Sequence, residues 1–197
     1  MNRPVHINFL GFAAVLTFLL AACGGGGGGS SSGPPTGYAT SLSYTNPTST
    51  GYSLQADLAT NNTSHLALNL VGPSGTVAQG VSLFLTADPA IVSWFKAANS
   101  AYATPGTVFN LGTAPQAFIA RVSSPGMLQV GLFQKSGSAT YDGAPLFTVA
   151  LELQAGKVPS GTPVALAATA GEKAVYVDGN QNVQPLPAIA IGQLIAQ

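Results

Sequence analysis

Charge is what this chain of 197 residues has least of. Six Lys and Arg stand against six Asp and Glu, 6% of the residues together, where a soluble domain ordinarily carries about 25%. Six cations cannot neutralise a run of phosphates, which excludes a nucleic-acid partner. Glu, Lys and Arg are too few for a coiled coil or a long helical array. A balanced charge with 46% apolar residues also excludes charge-driven disorder. Histidine and cysteine are as scarce. Beyond residue 22 there remain one histidine, His65, and one cysteine, Cys23, and a zinc site needs several such ligands. No spacing joins His65 to an acid and a nucleophile, and on the polar side of its strand it reads as a solvated surface residue. The acids that could be paired for bond cleavage are Asp57, Asp88, Asp142, Glu152, Glu172 and Asp178. Three of them, Asp88, Asp142 and Asp178, read better as capping or turn residues. The chain is therefore read as non-catalytic and in need of no cofactor.

What is present begins with a targeting segment. Residues 1–8 carry Arg3 and no acid, and Phe9 to Leu20 is apolar apart from Thr17. Leu20-Ala21-Ala22-Cys23 closes the segment with small residues. A positive start, an apolar stretch of about 7–15 residues and a small-residue end define a secretory signal, and the stretch is shorter than a membrane span. Leu-Ala-Ala-Cys resembles the lipobox of bacterial lipoproteins. That resemblance implies cleavage before Cys23, lipidation of Cys23 and anchoring in the cell envelope. Gly24 stands where an Asp would signal inner-membrane retention, so the outer membrane is implied in a Gram-negative cell.

Six glycines, Gly24 to Gly29, follow the cysteine, then Ser30 to Ser32 and Gly33-Pro34-Pro35-Thr36-Gly37. Such a segment has no side chains to bury and much backbone entropy to lose, so it reads as a tether spanning roughly 20 Å. A phosphate-cradling loop would need a preceding strand and a following helix. Three parts result: residues 1–22 as signal, 23–37 as lipidated Cys and tether, and 38–197 as one domain.

The domain alternates with period two almost throughout. Leu54, Ala56 and Leu58 alternate with polar neighbours, as do Leu66, Leu68 and Leu70, then Leu128, Val130 and Leu132. Phe147, Val149, Leu151 and Leu153 form the clearest case. Further strands are predicted over 81–86, 117–122, 163–168, 174–178 and 188–195. Gly- and Pro-bearing turns separate them, among them Gly72-Pro73-Ser74-Gly75 and Ser124-Pro125-Gly126. Short strands with one apolar face predict an all-β, antiparallel two-sheet sandwich of about nine strands. Residues 88–98 are the one helix-like stretch, with Asp88 as a cap and Pro89 at its first position. Phe84, Phe118, Phe133 and Phe147 are expected in the core.

Three stretches together resemble the cohesin-like domains, whose fold is related to some carbohydrate-binding modules. They are residues 80–92, with Asp88-Pro89 after a strand, residues 143–155, an alternating strand, and Val175-Tyr176-Val177-Asp178-Gly179-Asn180 before the last strand. The resemblance implies a nine-stranded sandwich that serves as a binding module. Its strand faces are poorer in Asp, Glu and Lys than that pattern, and no family binding residue is carried over.

Two functions are consistent with these residues. One is a lipid-anchored envelope module that binds an envelope or extracellular protein. The other is a surface carbohydrate-binding module using Tyr102, Tyr141, Tyr176 and Trp94, whose rings would suit sugar faces. Three coplanar exposed rings would favour polysaccharide. An apolar, ring-poor patch or an open sheet edge would favour protein. Asp178, Asn180 and Asn182 place oxygens at alternate positions like the start of a calcium loop, with an Asx turn as the competing reading.

Overall fold

The computed structural model describes residues 37–59, 61, 64–96, 101–113, 117–169 and 171–197. The signal segment, Cys23 and the tether up to Thr36 lie outside the described residues. Among those described there is no helix. Fifteen strands, several of them very short, take the place of the nine expected. They are β1 (Leu42–Thr45), β2 (Ser53–Ala56), β3 (His65–Val71), β4 (Val77–Ala87), β5 (Val92–Phe95), β6 (Ala103–Pro105), β7 (Phe118–Ser124), β8 (Met127–Phe133), β9 (Ala139–Thr140), β10 (Pro145–Leu153), β11 (Thr162–Val164), β12 (Leu166–Ala168), β13 (Gly171–Asp178), β14 (Val183–Leu186) and β15 (Gln193–Ala196).

All strand pairs are antiparallel and form three sheets. One has the order β1-β15-β11, and the second β2-β3-β10-β5 with β6 also on β10. The third runs β14-β13-β4-β8-β7, with β9 and β12 also on β4. Ala190 stitches the first two sheets together. It accepts the Leu54 N–H at 3.0 Å and donates its own to Tyr52 O at 2.8 Å. These two sheets face the third across one core, which is what a sandwich requires. Leu54, Leu68, Leu70, Phe147 and Leu151 meet Leu83, Leu85, Leu128, Val130 and Leu132 there.

Three expectations change. Residues 88–95 form a turn and strand β5 instead of a helix. The Asp88 carboxylate accepts the Ala90 N–H at 2.9 Å, and residues 92–95 pair with β10. A cap and a proline at N1 start a tight turn as readily as a helix, and the pairing with β10 decides between them. The stretch 163–168 divides at Ala165. β11 joins the first sheet through β15, and β12 joins the third through β4. The strand read through Leu58 ends at Ala56, and Leu58 is 84% exposed.

Candidate interaction surface

The third sheet alternates as period two demands. Along β4, Val81, Leu83, Leu85 and Ala87 point into the core, which leaves Ser82, Phe84 and Thr86 outward. The register carries that face across the sheet. Ser82 pairs with Gly131 of β8 and Val175 of β13, and Phe84 pairs with Gln129. Ile119 and Arg121 of β7 oppose Gly131 and Gln129. Val183 and Pro185 of β14 oppose Val177 and Val175. Phe84 and Phe133, expected in the core, therefore lie on the outer face, half-buried. Phe118 points inward and packs against the core, and Phe147 is fully buried.

Two glycines shape this face. A Cβ on Gly80 would strike the Phe133 ring and the Leu132 carbonyl, so glycine lets that ring lie over the neighbouring strand. A Cβ on Gly131 would come 3.1 Å from Ile119 Cγ2. The face that results is apolar and open. Val183 is 66% and Ile119 38% exposed. Arg121 is the one charged side chain among these outward residues, and its Nε donates to Gln129 Oε1 at 2.9 Å.

The opposite outer face has another character. Gln55, Asn69, Thr148 and Thr104 share a row across β2, β3, β10 and β6. Thr148 Oγ1 donates to Asn69 Oδ1 at 2.6 Å, so part of that row's polarity is satisfied within the fold. Beside the row, Ala67 and Ala150 are buried. His65, expected as a solvated residue, is half-buried. Its ring lies 4.0 Å from that of Phe95, and Nε2 is 3.4 Å from Glu152 Oε1.

The four candidate sugar-binding rings do not form one platform. Tyr141 is 2% exposed and Trp94 7%, which corrects their reading as surface rings. Tyr141 sits edge-on between Tyr52 and Phe109, with centroids 6.1 and 5.8 Å away. Burial holds its hydroxyl far above the ordinary tyrosine range, and the contact with Tyr52 raises it further. Tyr176 is half-buried against Tyr52, 6.4 Å between centroids. Trp94 and Tyr102 do share a hollow of about 270 Å³ with Pro89, Val122, Pro125 and Gln154. Lys96 Nζ stands 5.0 Å over the Tyr102 ring, within cation–π range.

Asp178 is occupied by its own loop. One carboxylate oxygen accepts the N–H groups of Asn180 and Asn182, both at 2.9 Å. The other accepts from Asn182 Nδ2 at 3.3 Å and Gln184 Nε2 at 3.2 Å. The backbone N–H of Asn182, first among these, holds the carboxyl below the usual range. With both oxygens engaged by N–H donors and Gln181 at φ 67°, the loop is the Asx-type turn. The calcium reading of Asp178, Asn180 and Asn182 finds no free carboxylate.

No protein-family model matches this sequence, and no curated protein matches it either. Its fold is nonetheless similar to solved cohesin modules. The second type II cohesin module from the cellulosomal adaptor ScaA scaffoldin of Acetivibrio cellulolyticus is 11% identical with a TM-score of 0.53. That match covers 75% of this chain and 96% of that one. CaCohA2 from Clostridium acetobutylicum is 14% identical with a TM-score of 0.50, over 80% of this chain and 91% of that one. At these identities the likeness is one of fold, and the fold is a cohesin-like β-sandwich.

Proposed function

We propose that this chain is a lipid-anchored, non-catalytic binding module of the bacterial cell envelope. It holds another envelope or extracellular protein on the outer face of the β14-β13-β4-β8-β7 sheet. The observation that carries this reading is the contrast between the two outer faces. One exposes Ile119, Val183 and half-buried phenylalanines beside Arg121, and the other is a row of polar side chains beside buried alanines. Exposed apolar patches of that kind mark interaction surfaces. The likeness to a module of a scaffoldin supports a scaffolding role by analogy of fold. The anchor rests on Leu20-Ala21-Ala22-Cys23 and the tether after it. Gly24 supports the outer membrane as the destination in a Gram-negative cell.

The test is photo-cross-linking in intact cells with a benzophenone amino acid at Phe84. A defined protein adduct is expected, and it should disappear in Val177→Asp and Ile119→Asp, which alter only outward side chains. An unchanged adduct in both variants would sink the reading. A second reading, polysaccharide binding, is favoured by the Trp94–Tyr102 hollow. It predicts retarded migration in polysaccharide-containing gels that Tyr102→Ala relieves.

A further inference from the structure

The sheet margins are not treated alike. β14 has four residues and carries Pro185, β11 has three and carries Pro163, and β6 has three and carries Pro105. β1 and β5 have four residues each, and β2 is engaged by Ala190. Short strands and prolines are the usual means of blunting an edge against strand addition. β7 is the exception among the described margins, with seven residues, no proline and an exposed second half.

The hydrogen-bond phase shows which groups that margin offers. The Phe133 N–H donates to Ala117 O at 2.9 Å. Antiparallel pairs alternate between bonded and non-bonded positions. Ile119 and Arg121 therefore turn their N–H and C=O groups to β8, and Phe118, Ala120 and Val122 turn theirs outward. No other described strand lies on that side.

We infer that the β7 edge is a strand-addition site that takes the same edge of a second copy of this chain, antiparallel and centred on Ala120. The occupant follows from self-complementarity. In that register Ala120 meets Ala120 of the second copy, and Phe118 meets Val122 twice. Each pair exchanges two main-chain hydrogen bonds, as bonded antiparallel pairs do. On the inner face, each Phe118 of one copy lies beside Val122 of the other. Val122 is 37% exposed and lines the mouth of the Trp94–Tyr102 hollow. On the outer face Ile119 stands opposite Arg121, so the two arginines are not directly opposed, the arrangement that destabilises like charges. The two β14-to-β7 sheets then continue into one. The contact is small beside the ~1,200 Å² of a stable interface, so the pairing is reversible. It does not depend on the protein-docking role of the outer face.

The experiment uses the full chain purified in mild detergent with a benzophenone amino acid at Ile119. Irradiation should yield a dimer whose cross-linked peptide maps to residues 118–124 of the second copy. Ala120→Pro removes an outward N–H and no ladder bond, and should lower the yield at least about tenfold. Val122→Glu keeps the amide and places a carboxylate opposite Phe118. It should lower the yield comparably, with the near-ultraviolet circular dichroism unchanged. Absence of a cross-linked dimer overturns the inference. So does a cross-link in another segment, or a yield that Val122→Glu leaves intact.

Discussion

The indole Nε1 of Trp94 donates to the carbonyl oxygen of Gly126 at 2.9 Å. Trp94 lies on β5 in one layer and Gly126 in the β7–β8 turn of the other, so this bond ties the two layers at one end of the sandwich. The same carbonyl accepts the Ala87 N–H at 2.8 Å. Gly126 has φ 75°, and a Cβ there would strike the Ala87 carbonyl, so glycine is what permits the approach. Trp94→Phe should destabilise the protein by about 1–2 kcal/mol, the value of one lost hydrogen bond with some packing. Trp94→Ala should cost about 3–5 kcal/mol. Urea unfolding monitored by circular dichroism reads both. A Trp94→Ala protein as stable as the parent would return Trp94 to the status of a surface ring.

That burial was not legible in the sequence, and the reason is physical. Period two states that two faces differ, not which neighbours will cover a ring. The strand over 81–86 was legible as a strand, but which of its faces turns inward was not. Phe84 and Phe133 were misplaced because an apolar residue on an outward position looks like any core residue until the register is known. Leu66, Leu68, Leu70 and the alternation from Phe147 to Leu153 were legible, since both strands are long and central. The candidate surface was not. It depends on the side-by-side order of β14, β13, β4, β8 and β7, which brings together residues as distant in the sequence as Ser82 and Pro185. The turn at Asp178 was legible as one of two readings, and the carboxylate's four N–H donors are those of the Asx-type turn.

Tyr44 makes a second cross-chain tie. Its hydroxyl donates to Leu54 O at 3.1 Å and accepts the Gly192 N–H at 2.7 Å. Tyr44→Phe strands a half-buried N–H and should cost about 1–3 kcal/mol. Gly192→Ala should cost more, because its Cβ would meet the Thr45 carbonyl oxygen, a backbone atom that cannot rotate away. Thermal unfolding of the two variants should rank them in that order. The reverse order would contradict the packing described around Gly192.

Alkaline pH should act through the buried phenols. Burial raises the Tyr141 hydroxyl most strongly, and burial also raises Tyr52 and Tyr44, partly offset by their hydrogen bonds. A raised folded-state value means that the native protein keeps protons which the unfolded chain releases above about pH 10. The associated stability is therefore fully present below that pH and is lost as pH rises past it. Tyr141→Phe removes the largest contribution. Its urea midpoint should fall less steeply between about pH 9 and pH 11 than the parent's. Parallel curves would mean that Tyr141 ionises freely and is not buried as described.

The anchor is tested at Cys23. The reading requires that the mature chain begin there, because Leu20-Ala21-Ala22-Cys23 ends the signal segment and Gly24 to Gly29 begin the tether. Each buried CH₂ contributes about 0.8 kcal/mol to membrane binding, so one acyl chain holds a protein only marginally while two or more hold it stably. Wild-type protein should fractionate with membranes and show an intact mass raised by its acyl chains, with Cys23 as the first residue. Cys23→Ala should appear as unprocessed precursor or as soluble exported protein. Its sandwich should be unchanged by circular dichroism, since every described core residue lies at or beyond Ala39. A mature N-terminus elsewhere, or a mass without an acyl increment, would remove the anchor and leave an exported sandwich whose outer face must find its partner without a membrane to hold it.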